Sequence, residues 1–264
     1  NSDTSAANVV KRALKPNSDR IQSNLSQTIK FRSKTMAWWG GFNSLKMPMD
    51  SIPVGVNQVH LFLLELDARP EVALDTTHMI MQGFTWDSIL KQAHRLQQRG
   101  IKVIATIMGQ RGAGKEKGKY NIPATAYPKA FAFGAITDPE AFAATIKKRV
   151  LDDWQLDGID LDVEDGYGGE AAAYNVQLNT DSSSYTISKP SQENISNAAG
   201  FIKALSKYFG PKSGSGKLLI IDRGPRPGYI IPATYTYFDQ VIMQAYNWYD
   251  SASITRAYER YAPY

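Results

Sequence analysis

The sequence predicts an α/β fold built on a parallel β-sheet. From Thr35 onward, short apolar runs alternate with longer amphipathic segments, which is the pattern of repeated βα units. The apolar runs are nearly continuous, as in residues 103–107, and so suit parallel strands that are buried on both faces. The amphipathic segments carry residues that typically start and stop helices. Periodicity alone leaves open whether the sheet is an open, doubly wound one or a closed barrel.

Composition narrows the classes of protein to which the chain can belong. With 264 residues it is long enough for one α/β barrel domain. No apolar run is long enough to cross a bilayer, so no membrane span is expected. The formal charge of +5 is scattered along the chain, and we therefore expect no nucleic-acid partner. Cysteine is absent, which excludes disulfides, thiol catalysis and zinc–thiolate sites.

The chain divides into a short extension and one domain. Residues 1–33 are polar and show no regular period, and we interpret them as an N-terminal extension. Residues 34–264 are interpreted as a single (β/α) barrel domain. The small, mostly polar residues 1–7 would suit the start of a processed, exported chain, so we expect a secreted, cell-surface or periplasmic protein. We expect it to be a monomer.

Six segments are predicted as strands and four as helices. The strands are 35–42, 58–66, 101–108, 158–165, 217–222 and 241–248, and the helices are 85–98, 138–154, 192–209 and 253–261. Gly100 stops the first helix, Asp138-Pro139-Glu140 starts the second, and Gly210-Pro211 stops the third. The predicted strands and helices therefore form a series of βα units along the sequence.

The number of strands is lower than a closed barrel requires. Such a barrel needs eight βα units, whereas six strands are found. Only residues 249–264 follow the sixth strand, and a further strand with its crossover needs roughly thirty residues. Either two strands are missed or the barrel is incomplete in this chain, with the missing units absent or supplied by another polypeptide, and we favour an incomplete barrel.

The fourth predicted strand carries a row of acids. Side chains alternate along a strand, so Asp160, Asp162 and Glu164 share one face, and Ile159, Leu161 and Val163 share the other. Burying three carboxyls on one face costs several kcal/mol unless they share protons, hydrogen bonds or a cation. Like-charge repulsion and burial favour a protonated carboxyl near neutral pH, which is what a general acid needs. The row therefore indicates a catalytic site.

Three other interpretations of the acidic segment are weaker. A surface loop rich in Asp would not alternate so regularly with apolar residues. A calcium loop that begins at Asp160 would need Gly where Asp165 stands and Glu where Ala171 stands. A divalent-metal site made by the carboxylates stays open, but His60, His78 and His94 show no spacing that would complete one. We predict neither a metal nor a cofactor.

Residues 157–164, Asp-Gly-Ile-Asp-Leu-Asp-Val-Glu, resemble the Asp-x-x-Asp-x-Asp-x-Glu signature of glycoside hydrolase family 18. All four acidic positions match. That family contains chitinases and endo-β-N-acetylglucosaminidases. The resemblance implies a (β/α)8 TIM barrel whose fourth strand carries the acids, and the acidic segment is the fourth predicted strand here.

The resemblance also implies a role for each acid. Glu164 would protonate the glycosidic oxygen and later activate water. Asp162 would hold the substrate's own 2-acetamido group, whose carbonyl oxygen attacks the anomeric carbon, so that no enzyme nucleophile is needed. Asp160 would tune Asp162 electrostatically. Asp157 has the opposite parity at the strand entrance and is expected to be structural.

The sixth predicted strand supplies candidate substrate-binding residues. Gln244 and Tyr246 share one face by alternation, and both can hydrogen-bond an amide. Family chitinases have Met-x-Tyr-Asp here, whereas this chain has Gln-x-Tyr-Asn, with Asn247 in the place of Asp. That pattern is similar to the one in endo-β-N-acetylglucosaminidases that act on N-glycans. A polar pair that merely ends a strand is the alternative.

The ends of other predicted strands carry further candidate residues and a loop that resembles a nucleotide-binding motif. Candidates for the pocket are Trp38, Trp39, Glu65 and Gln110, because aromatic faces stack on sugar rings and polar groups fix their orientation. Of these, only Trp39 and Glu65 are tentatively assigned to it. Residues 109–116 imitate a nucleotide-binding loop, but Glu116 stands where a Mg²⁺-binding Ser or Thr is required. We interpret that segment, which includes Gln110, as a basic loop over a glycan cleft.

These observations favour an endo-β-N-acetylglucosaminidase that cuts the N,N′-diacetylchitobiose core of N-glycans, with N-glycans or glycoproteins as its partners. A chitinase is the first alternative. A barrel that binds glycans without cutting them is the second, although family members of that kind usually lose the acid that is present here as Glu164.

Overall fold

Parallel strands form the centre of the fold in the computed structural model, which describes residues 34–40, 47–80, 83–109, 132–163, 191–224, 227–245 and 250–264. The strands in chain order are β1 (Met36–Trp39), β2 (Gln58–Leu66), β3 (Leu74–Asp75), β4 (Lys102–Met108), β5 (Gly158–Val163), β6 (Leu218–Arg223) and β7 (Gln240–Met243). Their order in the sheet is β1-β2-β4-β5-β6-β7, and every neighbouring pair in that path is parallel. The predicted strand 58–66 is confirmed over its whole length and the other five in part, and the short β3, which pairs antiparallel with β2, was not predicted.

Helices separate the strands along the chain. They are α1 (Thr77–Ile80), α2 (Trp86–Gln98), α3 (Pro139–Lys147), α4 (Gln192–Leu205), α5 (Ile231–Thr234) and α6 (Ser251–Tyr261). A π-helical segment, Lys148–Asp153, continues α3. Short 3₁₀ helices are formed by Met49–Ser51, Phe133–Ala135 and Tyr235–Tyr237. All four predicted helices are confirmed, whereas α1, α5 and the 3₁₀ turns were missed because each is only a single turn.

The long helices begin at polar caps that the sequence provides. The side chain of Thr85 accepts a hydrogen bond from the backbone N–H of Ser88 at the start of α2, and Asp138 does the same for Ala141 at the start of α3. Ser191 and Asn194 form a reciprocal capping box at the start of α4. Such caps satisfy backbone donors that a helix cannot satisfy itself.

One face of the sheet packs against the helices. Val59, Ala105, Ile107, Ile159 and Leu161 alternate along the central strands, and all are buried in one hydrophobic core with side chains of α2, α3 and α4. At the start of β5 the backbones of β5 and β6 lie so close together that a Cβ on Gly158 would overlap the backbone of Leu218. The helix-facing side of the sheet therefore provides the stability of the fold.

The other face of the sheet is concave and polar. His60 on β2 contacts Asp160 on β5, although β4 lies between these strands in the sheet. Gln58 on β2 reaches Gln240 on β7, across three intervening strands. Side chains from such distant strands can meet only if the sheet curls toward closure, as barrel sheets do.

The architecture is that of an incomplete (β/α)8 barrel. The described residues contain six parallel strands of the eight that a closed barrel needs, and within them β1 and β7 each pair on one side only. Residues Thr35–Tyr264 form one compact unit. The predicted extension, residues 1–33, lies outside the described residues. None of the helices that the structure describes has both the length and the apolar character of a membrane span.

Candidate active site

The acids of β5 lie where parallel barrels place their active sites, at the carboxyl ends of the strands. Asp162 is in register with Met108 on β4 and with Asp222 on β6, and Asp222 is in turn in register with Ile242 on β7. Glu65 on β2 pairs with Met108 on the other side of the row. One layer of the concave face therefore brings three carboxyl side chains together, which is a costly arrangement unless it is functional.

Asp162 is fixed by a hydrogen bond from another strand. Its side chain is 0% exposed, and its Oδ1 accepts a hydrogen bond of 2.9 Å from Nε2 of Gln244, which directly follows β7. A primary amide that donates to one carboxylate oxygen restricts the rotation of that carboxylate. The structure thus brings together two of the residues that the sequence singles out, and their roles in the reaction stay predictions.

Asp160 lies one layer deeper and is also 0% exposed. Its Oδ2 contacts Nδ1 of His60 at 2.9 Å and accepts a hydrogen bond of 3.2 Å from Oγ1 of Thr106. Neither His60 nor Thr106 was predicted as a site residue. Both lie on the inward-facing parity of their strands, but β4 carries Ile104 and Met108 on the same parity, so alternation alone does not single them out.

Asp157, the first acid of the motif, is structural as expected. Its Oδ2 accepts hydrogen bonds from the backbone N–H of Val103 at 2.9 Å and from Nε2 of Gln97 at 2.8 Å. Its Oδ1 lies 3.4 Å from Nζ of Lys217. Asp157 therefore joins the starts of β4 and β6 to α2, and holds β5 in register from below.

A cavity of about 470 Å³ opens beside the acids. The described residues that line it are Trp38, Phe62, Asp162, Asp222, Ile242, Met243, Gln244 and Ala245. Aromatic and aliphatic walls with a few polar groups are typical of ligand sites, and aromatic faces stack on sugar rings. The low polarity of the walls also strengthens the electrostatic interactions of the carboxylates.

Asp222 is a cavity residue that the sequence analysis missed. It is 5% exposed and stands beside Asp162 on the neighbouring strand. Asp222 is the last residue of the predicted strand 217–222. A polar residue at the carboxyl end of a parallel barrel strand is typical of an active site, and this position could have identified it. Asp222 therefore adds a second carboxyl to the layer of the sheet that holds Asp162.

The tentative assignment of Trp39 to the pocket is wrong. Trp39 is only 6% exposed, packs against Phe84 in the core, and donates its indole N–H to the carbonyl of Met47. Trp38, on the opposite parity of β1, is 42% exposed and lines the cavity. Glu65 is buried in the same row as Asp162, outside the described cavity lining.

The remaining predicted site residues lie outside the described residues. These are Glu164, Tyr246 and Asn247, together with the loop that contains Gln110. Glu164 directly follows Val163, the last described residue of β5, and Tyr246 directly follows in sequence Ala245, which lines the cavity. Their functions therefore stay predictions from the motifs.

Comparison with known proteins assigns the family. A family model described as the TIM-barrel domain of the endo-β-N-acetylglucosaminidase EndoS matches residues 30–264, which is most of the chain. The chain belongs to this family. The resemblance to glycoside hydrolase family 18, whose chitinases and endo-β-N-acetylglucosaminidases are among the relatives, is thereby confirmed.

Individual relatives are more distant. The chain is 28% identical over 169 residues to endo-β-N-acetylglucosaminidase F2 of Elizabethkingia meningoseptica, in an alignment that covers 64% of this chain and 39% of that protein. An endo-β-N-acetylglucosaminidase from Cordyceps militaris shares the fold with a TM-score of 0.53 at 19% identity, covering 87% of this chain and 63% of that one. A family 18 chitinase from Pseudoalteromonas aurantia does so with a TM-score of 0.52 at 18% identity, covering 87% and 75%. The chain thus spans well under half the length of the Elizabethkingia relative.

Proposed function

We propose that this chain is an endo-β-N-acetylglucosaminidase. It hydrolyses the β-1,4 bond of the N,N′-diacetylchitobiose core of N-glycans and leaves one N-acetylglucosamine on the protein. The observation that carries the proposal is the hydrogen bond of 2.9 Å from Gln244 to Asp162 inside the cavity. Family chitinases have Met at the position of Gln244, and a thioether cannot donate a hydrogen bond.

In the proposed reaction Glu164 gives its proton to the glycosidic oxygen as the bond to the anomeric carbon breaks. The carbonyl oxygen of the substrate's 2-acetamido group forms a bond to that carbon, which gives an oxazolinium intermediate. Glu164 then removes a proton from water, and the water oxygen attacks the anomeric carbon from the face that the leaving group occupied. This attack breaks the bond between that carbon and the acetamido oxygen and restores the acetamido group. The configuration is retained because two displacements occur at the same carbon.

Asp162 acts on the acetamido group in this scheme. Its carboxylate accepts the amide N–H of the substrate, which orients the carbonyl oxygen toward the anomeric carbon and stabilises the positive charge that develops on the ring. Gln244 donates a hydrogen bond to Oδ1 of Asp162, and this bond fixes the plane of the carboxylate. The direction of the other carboxylate oxygen is thereby fixed as well. The apolar walls formed by Trp38, Phe62 and Ile242 strengthen this stabilisation.

The relatives of the chain support the same substrate class. The Elizabethkingia and Cordyceps proteins are both endo-β-N-acetylglucosaminidases, and a Cordyceps variant was solved in complex with fucosyl-N-acetylglucosamine-Asn. We therefore propose N-glycans and glycoproteins as the partners of this chain.

The test is Gln244→Leu, assayed on a high-mannose glycoprotein. Loss of the amide frees Asp162 to rotate, so kcat/KM should fall by about tenfold to a hundredfold, the effect of losing one hydrogen bond to a charged group. Thermal unfolding should stay close to wild type because Gln244 is only half-buried. Gln98→Leu, at an exposed position at the end of α2, is the matched control. A rate equal to wild type in Gln244→Leu would mean that the Gln-x-Tyr resemblance is accidental.

A further inference from the structure

A run of buried polar side chains crosses the inside of the sheet beneath Asp162. It leads from Gln240 on β7 to Gln58 and His60 on β2, and from there to Asp160 on β5. Oε1 of Gln240 lies 3.4 Å from Nε2 of Gln58, which lies 2.7 Å from Nε2 of His60. Nδ1 of His60 lies 2.9 Å from Oδ2 of Asp160. The exposure of Gln58, His60 and Asp160 is at most 2%.

The hydrogen-bond chemistry of this run fixes one tautomer of His60. The amide nitrogen of Gln58 can only donate, so Nε2 of His60 must accept with its lone pair. The ring proton is then on Nδ1, from which it is donated to Asp160. Gln58 is kept in this orientation by contacts of its Nε2 with Sδ of Met36 at 3.7 Å and with Gln240.

The surroundings of the run argue against a purely structural role. Ile104 and Ile220 occupy inner positions on the strands next to Asp160, so apolar side chains can fill this layer. A buried carboxylate with amide and imidazole partners adds desolvation cost that a hydrocarbon would not. The run also reaches the cavity, since Trp38 stacks on His60 with ring centroids 4.7 Å apart.

We propose that His60, oriented by Gln58, is a positioning residue for the reaction. It donates its Nδ1–H to Oδ2 of Asp160, which also accepts a hydrogen bond from Thr106, and so fixes the orientation of that carboxyl. In the part of the chain that the structure describes, Oδ1 of Asp160 has no hydrogen-bond partner, so the contacts at Oδ2 set the orientation of this carboxyl beneath Asp162. This inference rests on the proposed function, because it assigns His60 to the same site.

Few other ionisable groups face His60. Around it stand Met36 and Trp38 of β1, Ile104 and Thr106 of β4, Ile220 of β6 and Gln240 of β7, none of which ionises at physiological pH. Within the described residues the carboxyls near it are Asp160 and, one layer toward the cavity, Asp162, Asp222 and Glu65. A change at His60 is therefore transmitted first to Asp160.

A pair of variants distinguishes the roles of the two ring nitrogens of His60. In His60→Asn the amide nitrogen can stand where Nδ1 stood and still donate to Asp160, whereas in His60→Gln it stands nearer the place of Nε2. We expect His60→Asn to keep kcat within about threefold of wild type and His60→Gln to lose about tenfold or more, with KM unchanged in both. His94→Gln is the control, because His94 bonds to the carbonyl of Trp154 in the helical layer.

The pH profile shows whether the loss acts through Asp160. Without the Nδ1 donor the carboxylate of Asp160 is less favoured over its protonated form. The acid limb of kcat should therefore move to higher pH in His60→Gln and stay in place in His60→Asn and His94→Gln. A His60→Gln variant with the wild-type kcat and the wild-type profile would overturn the proposal.

Nitrogen NMR of the histidines tests the geometry without turnover. The chain has three His residues, so ¹⁵N-labelled imidazoles can be assigned by comparison with His60→Asn and His94→Gln. We expect His60 at neutral pH to carry its proton on Nδ1 and to have a bare Nε2, and we expect Gln58→Leu to keep the proton on Nδ1, facing Asp160, while the signal of Nε2 changes because its hydrogen bond is lost. An Nε2–H tautomer or an imidazolium in the wild type would overturn the proposal.

The two readouts also separate this inference from the proposed function. If His60 has the expected tautomer but the chain cleaves no glycan, the proposed function fails and, with it, the role of His60 in the reaction. If the chain cleaves glycoprotein and His60→Gln is unchanged in rate and profile, the proposed function stands and the positioning role is wrong.

Discussion

Glu164 directly follows β5, and the alternation of that strand gives it the parity of Asp162. The proposed reaction uses it as the sole proton donor. Glu164→Gln should therefore lower turnover on a glycoprotein by at least about a thousandfold, since several kcal/mol of transition-state stabilisation are lost. Circular dichroism and thermal unfolding should match wild type. A variant that keeps more than about a tenth of the wild-type activity would remove Glu164 from this role.

Asp162 should have a different signature, because it assists the attack of the acetamido group and does not transfer the proton. Asp162→Asn should cleave glycoprotein slowly, yet a preformed sugar oxazoline already contains the bond that Asp162 helps to form. The variant should therefore still transfer glycan from the oxazoline to an N-acetylglucosamine acceptor, which mass spectrometry detects. If Asp162→Asn uses neither donor, the division of work between Asp162 and Glu164 is wrong.

Strand parity predicted which acids share a face of the sheet, while the roles of the site residues stay predictions. Asp160 and Asp162 share the concave face, and Gln244 reaches Asp162 from another strand, as alternation requires. Parity failed at Trp38 and Trp39, since adjacent aromatic residues give no sign of which one faces the helices. His60 was considered only as a metal ligand, and its bond to Asp160 spans 100 positions that no local pattern connects.

At the scale of elements, the presence of each parallel strand could be predicted from the sequence, but the exact ends of most strands could not. The apolar runs identified every parallel strand, because burial on both faces demands them. The ends differ because the pairing partner sets them: β1 ends at Trp39 rather than at residue 42, while β6 extends to Arg223 to pair with Met243. The two-residue strand β3 has no period of its own and exists only through its pairing with β2.

The last described helix provides a test of how capping acts on stability. Hydrogen bonds from the backbone N–H and the side chain of Ser253 hold the pKa of Asp250, the N-cap of α6, below its usual value. A depressed pKa contributes stability that is present above the unfolded value of about 3.9 and is lost as the pH falls through the folded value.

Asp250→Asn keeps a capping side chain but removes this titration. The advantage of wild type over Asp250→Asn in free energy of unfolding should therefore shrink as the pH falls below about 5. Thermal unfolding over a pH series measures it, with Glu259→Gln on the exposed face of α6 as the control. A difference that stays constant with pH would show that the charge of Asp250 does not stabilise the helix.

At the scale of the molecule, the curl of the sheet connects fold and function. Alternation places the apolar residues against the helices and the polar ones inside, and curvature then brings β2, β5 and β7 within hydrogen-bond distance of one another. The six parallel strands of the described residues could be predicted from their apolar runs. The curvature could not, because it depends on sheet twist and on contacts between strands that are distant in sequence. The exported location and the monomeric state stay predictions.

The central claim is that the acids of β5 and Gln244 form a site that cuts the chitobiose core of N-glycans. The most direct test is to incubate the chain with a high-mannose glycoprotein, a complex-type glycoprotein and chitin oligosaccharides, and to weigh the products by mass spectrometry. At least one glycoprotein should lose its glycan and keep a single N-acetylglucosamine, and chitin oligosaccharides should be cleaved more slowly. Cleavage of chitin alone would identify a chitinase, and binding without cleavage of any substrate would identify a non-hydrolytic barrel; either result would contradict the claim.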